Sequence, residues 1–116
     1  SAHHAEVVTA NDGVFVHTNH CLIPAHQELE ADTPATSSHA RQLRLESLIE
    51  DAKLEVTSAT IEAAFGDRAN GENAISRVDF NGISSNGAVV MTPASGLFRA
   101  CHGTPHDAEW LDIPAA

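Results

Sequence analysis

The spacing of apolar residues changes period along this chain, short at both ends and longer in the middle. Glu6-Val7-Val8-Thr9-Ala10 and Val14-Phe15-Val16-His17-Thr18 are β-rich runs flanking Asn11-Asp12-Gly13. Asp-Gly between such runs predicts a tight hairpin over residues 6–18, because Gly accepts the positive φ that the turn demands. Residues 24–36, rich in Ala, Thr, Asp and Pro, predict a surface loop. Then Leu45, Leu48, Ile49 and Ala52 recur at i, i+3, i+4 and i+7, one apolar stripe. The stripe predicts a helix near 38–53 that buries Leu45, Leu48 and Ile49, with Arg41 and Arg44 towards the other side. Ser37 or Ser38 suits its start by accepting a backbone N–H bond.

Thr57 or Ser58 can cap a second, shorter helix through Thr60-Ile61-Glu62-Ala63-Ala64-Phe65, which Gly66 closes. Residues 66–73 read as a loop, Ile75 to Phe80 as a short strand, with turns at Asn81-Gly82 and Asn86-Gly87. Ala88-Val89-Val90-Met91-Thr92 and Gly96-Leu97-Phe98-Arg99-Ala100-Cys101 predict a second hairpin about Pro93-Ala94-Ser95-Gly96. Pro early and Gly late is the order that turn chemistry prefers. The tail through Trp110 and Pro114 reads as irregular. The order β-β-α-α-β-β predicts an α+β fold.

A chain of 116 residues, 42% hydrophobic and 19% charged, has the length of one domain and an ordinary globular composition. The formal charge of −10, from 16 acids against 6 bases, argues against nucleic acid and against an anionic membrane surface as partners. No apolar run is long enough to span a bilayer. Two cysteines, Cys21 and Cys101, do not make a disulfide scaffold, and reduced thiols in a cytoplasmic protein are the expectation.

One stretch carries more chemistry than the rest. His17-Thr18-Asn19-His20 ends a strand-like run and leads into Cys21-Leu22-Ile23-Pro24; a polar loop follows, then a helix reading S-x-x-R-x-x-R-L from Ser38 to Leu45. The chain closes with an apolar strand, the Pro93 turn, a second strand and Gly103-Thr104-Pro105. In that order these features resemble the later portion of the autoproteolytic acyltransferases typified by acyl-coenzyme A:6-aminopenicillanic-acid acyltransferase, in the N-terminal-nucleophile (Ntn) hydrolase superfamily. The resemblance implies part of an αββα sandwich, two hairpins with two helices. It also implies acyl transfer from a small acyl or amide substrate, without a cofactor.

The resemblance assigns residues as well as a fold. It makes Asn19 the oxyanion donor, a side-chain amide that donates without titrating. Arg77 would orient a substrate carboxylate or act on the nucleophile, and Arg suits this because it stays charged and forks to carboxylate. His17 and His20, flanking Asn19, are expected to line the substrate site. Three apart on a strand they would not converge on a metal, so no metal site is expected.

No cysteine followed by Thr or Ser opens this sequence, and Ser1 aligns deep inside the family's chain rather than at its nucleophile. The nucleophile is therefore expected on a complementary polypeptide or segment, with this chain inert alone. The alternative is a non-catalytic α+β module that binds a partner through the same fold.

Overall fold

The computed structural model describes residues 5–10, 13–27, 36–52 and 55–114. Its elements are α1 (Pro24–Gln27), α2 (Thr36–Ala52), α3 (Ser58–Phe65), and strands β1 (Gly87–Thr92), β2 (Leu97–His102) and β3 (Trp110–Asp112). The strands form one antiparallel sheet in the order β1-β2-β3. The fold is α+β, as the order of the sequence patterns predicts.

The helices follow local chemistry closely. α3 begins where Thr57 accepts the Thr60 N–H, while the Thr60 hydroxyl takes the Thr57 N–H in return. That reciprocal cap satisfies two N–H groups that the first turn cannot bond internally. Gly66 ends the helix in ordinary right-handed geometry. Glycine has a different use there: an added Cβ would stand 3.3 Å from the His106 Cα.

α2 starts at Thr36, earlier than expected, so Ser37 and Ser38 lie within the helix and do not cap it. Ser38 is buried and its hydroxyl turns towards the His17–His20 segment. Leu45, Leu48 and Ile49 are half-buried rather than enclosed. Arg44 donates through Nε and Nη2 to both carboxylate oxygens of Asp67, which fastens α2 to the end of α3.

The second hairpin forms as expected. Val89 faces Ala100, Val90 faces Arg99 and Met91 faces Phe98. A 3₁₀ turn over Pro93–Ser95 ends in Gly96, whose φ of 69° is the left-handed conformation that glycine adopts without strain. The tail then corrects the sequence reading. Trp110–Asp112 is a third strand, pairing Leu111 with Ala100 and Asp112 with Arg99. The edge of β2 supplied the partner that a three-residue segment cannot supply for itself.

Two further expectations fail. Ile75 to Phe80 is not a strand, because side chains take the bonds that a ladder would have made: Arg77 N–H donates to Ser85 Oγ and Asp79 N–H to Ser84 Oγ. Only Phe80 and Ile83 pair, across a turn with positive φ at Asn81 and Gly82. Gly87 starts β1 instead of completing a turn.

The first hairpin is not in the sheet either. Asn11 and Asp12 lie outside the described residues, and of the flanking runs only Val14 has even a bridge. Val7 and Phe15 are exposed. A two-stranded hairpin with an uncovered apolar face is marginal in water. Residues 24–27, expected as loop, form the short α1.

The described core is thin. Its buried apolar residues are Ala64, Ala74, Val90 and Cys101, and the largest fully buried side chain is a serine, Ser76. One face of the sheet packs on α3: Val90 is buried there and Arg99 reaches Glu62. Strand alternation puts Val89, Met91, Phe98 and Leu111 on the opposite face. That face is bare, with Met91 64% and Leu111 53% exposed.

Candidate functional site

Asn19 stands at the centre of the site, and α2 fixes its position. Ser38 Oγ accepts the backbone N–H of Asn19 at 2.7 Å and of His20 at 2.9 Å. Those two bonds occupy both lone pairs of the hydroxyl oxygen. The hydroxyl proton is then left for His20 Nδ1 or Thr18 Oγ1, each 2.8 Å away. Thr18 Oγ1 donates to the Ser38 carbonyl. One buried serine thus closes the turn of residues 17–20 against the first turn of α2.

The side chain of Asn19 is exposed, and Arg41 Nη2 donates to its Oδ1 at 2.7 Å. A guanidinium has donors only, so the amide atom facing it must be the oxygen. This settles which way the amide points. Its NH2 has no hydrogen-bond partner among the described residues. Arg41 also donates from Nε to Ser37 Oγ, one turn back on α2.

A cleft of about 360 Å³ opens at this point, lined by His17, Thr18, Asn19, Arg41, Leu45, Phe65 and Ile75. Its lining joins the polar His17, Thr18, Asn19 and Arg41 to the apolar Leu45, Phe65 and Ile75. Burial lowers the Arg41 pKa from its ordinary value, and the charge of Arg77 lowers it further. Asp67 is lowered in turn, chiefly because it accepts hydrogen bonds from Arg44.

The four residues singled out from sequence fare differently. Asn19 and His17 line the cleft. His17 Nε2 donates to the His20 carbonyl at 2.9 Å. His20 is buried, stacks on His39 with ring centroids 3.8 Å apart, and borders a neighbouring pocket instead.

Arg77 is close enough for its charge to reach Arg41 but does not line the cleft. Its Nε donates to the Glu72 carbonyl, and its guanidinium lies 5.5 Å from the Phe80 ring centroid. Sequence reasoning overlooked the part played by Arg41, although Arg41 supplies the first arginine of the S-x-x-R-x-x-R-L pattern. Phe65 and Ile75 carried no signal beyond being apolar.

Among the described residues no group of three or more His, Cys, Asp or Glu is placed to hold a metal ion. Neither Cys21, half-buried, nor Cys101, buried, forms a disulfide. No helix among the described residues is long and apolar enough to cross a membrane. No protein-family model matches the chain, and no curated protein matches it either.

Proposed function

We propose that this chain is the later segment or subunit of an Ntn-type amide hydrolase or acyltransferase, in which Asn19 stabilises the oxyanion formed at a nucleophile held on another segment. The observation that carries the reading is the Asn19 amide, its oxygen bonded by Arg41 and its NH2 unpartnered beside an open cleft. In acyl transfer the carbonyl carbon is attacked and negative charge grows on the carbonyl oxygen. A pre-aimed N–H donor stabilises that charge more than it stabilises the substrate. Arg41 strengthens the donor, because a bond to the amide oxygen polarises the whole amide. Collapse of the tetrahedral state expels the amine or thiol, and the acyl group passes to water or an amine.

The bare sheet face supports the need for a second segment. In an αββα sandwich that face would lie against another sheet, and here Val89, Met91, Leu111 and Ile113 are exposed. The same face favours a second reading, a non-catalytic α+β module that docks a partner there.

Replacement of Asn19 in the assembled enzyme separates the two readings. Asn19→Ala should lower kcat by roughly 10²–10³ with KM little changed, as for other preorganised oxyanion donors. Asn19→Asp should be worse, since it places a negative charge beside the oxyanion. The pure chain alone should turn over neither amides nor thioesters. An assembly whose kcat stays within a few-fold in Asn19→Ala would refute the oxyanion role. Turnover by the pure chain that Ser1→Ala or Cys21→Ala abolishes would instead overturn the placing of the nucleophile on another segment.

A further inference from the structure

Arg41 and Arg77 are set apart by what they lack. In a chain with 16 acids against 6 bases, an arginine without a carboxylate beside it is unexpected. Arg44 pairs with Asp67, Arg68 with Asp107, and Arg99 with Glu62 and Asp112. Arg41 and Arg77 pair with none among the described residues. Each guanidinium has five N–H donors. Arg41 uses two of them, on Asn19 and Ser37, and Arg77 uses one, on Glu72. The remaining donors are spare.

The placement of these donors is specific. Arg41 lines the Asn19 cleft together with the apolar side chains Leu45, Phe65 and Ile75. The two cations repel across this region, which is one cause of the lowered Arg41 value. An anion bound at Arg41 would offset the repulsion that Arg77 exerts on it. A forked, always-charged guanidinium fits a carboxylate through parallel N–H bonds. The apolar part of the lining asks for a ligand with more than a head group.

We propose that the Asn19 cleft binds a carboxylate carried on an apolar tail, with the head on Arg41 and the tail against Leu45, Phe65 and Ile75. Joined to the acyl-transfer reading, on which this consequence rests, it names the substrate class. The amide or thioester carries a free carboxylate, and that group anchors it while Asn19 faces the reacting carbonyl.

Sodium octanoate, octanamide and sodium phosphate serve as probes in ¹H–¹⁵N titrations of the purified chain at constant ionic strength. Octanoate should shift residues 17–19, Arg41 and Ile75 saturably. Octanamide, equal in length but neutral, should bind about tenfold more weakly, and phosphate, charged but without a tail, weaker still. Arg41→Gln should weaken octanoate about tenfold, and Arg77→Gln by a smaller factor, with circular dichroism confirming that both variants are folded.

Equal affinity for octanoate and octanamide would overturn the proposal, as would phosphate binding as tightly as octanoate. Undiminished octanoate binding by folded Arg41→Gln would do the same. The wild-type comparison decides the matter even where a variant fails to fold. Arginine-dependent octanoate binding beside an assembly indifferent to Asn19→Ala would remove the acyl-transfer reading and keep the carboxylate site. The reverse pattern would remove only the site.

Discussion

Ser38→Ala removes a single oxygen, and the structure says what each lost bond should cost. Ser38 is 4% exposed, so water does not replace the hydroxyl freely. The N–H of His20 is buried and would lose its acceptor. A buried donor left without a partner costs about 1–3 kcal/mol. The N–H of Asn19 is only partly buried, so water can recover part of that bond, leaving a net loss of about 0.5–1.5 kcal/mol.

Together these give roughly 1.5–4.5 kcal/mol, against a whole-domain stability on the order of 5–15 kcal/mol. Urea unfolding, followed by Trp110 fluorescence and by circular dichroism, measures the loss, with a matching fall in Tm of roughly 6–18 °C. Ser37→Ala is the control. Its Oγ takes only a long 3.3 Å bond from Arg41, so its effect should stay near 0.5 kcal/mol or below. If Ser38→Ala loses less than about 0.5 kcal/mol with an unchanged urea slope, the hydroxyl does not hold the turn, and the argument for a preorganised Asn19 falls with it.

Two other expectations follow from the helices. Asp67 has its pKa lowered by Arg44, so the pair contributes stability above the ordinary carboxylate range and loses it as pH falls through the lowered value; Arg44→Gln should therefore flatten the acid limb of the stability profile and leave neutral-to-alkaline behaviour parallel to wild type. Thr57→Ala should cost about 1 kcal/mol by removing the reciprocal cap of α3, read as a lower urea midpoint, and Thr57→Ser should recover most of it.

Where the chemistry is local, the sequence was sufficient. α3 and its cap depend on residues three apart, and the Pro93–Gly96 turn on residues that follow one another, so both could be read directly. The Asn81-Gly82 turn belongs with them. The stripe of α2 placed that helix, though not its start. The α+β order follows from these elements, while the αββα sandwich stays a proposal supported by the bare sheet face.

Tertiary structure decided the rest, for one reason: a strand or a site needs a neighbour that its own residues do not name. Trp110–Asp112 became a strand because β2 offered an edge, and Ile75 to Phe80 did not because Ser84 and Ser85 took its backbone bonds first. Asn19 was marked by the motif around it, but the direction of its amide comes from Arg41, 22 positions away. Ser38 looked like a helix cap from its neighbours in sequence. Nineteen positions from Asn19, it fastens the turn instead, because folding brought two backbone N–H groups to its buried oxygen.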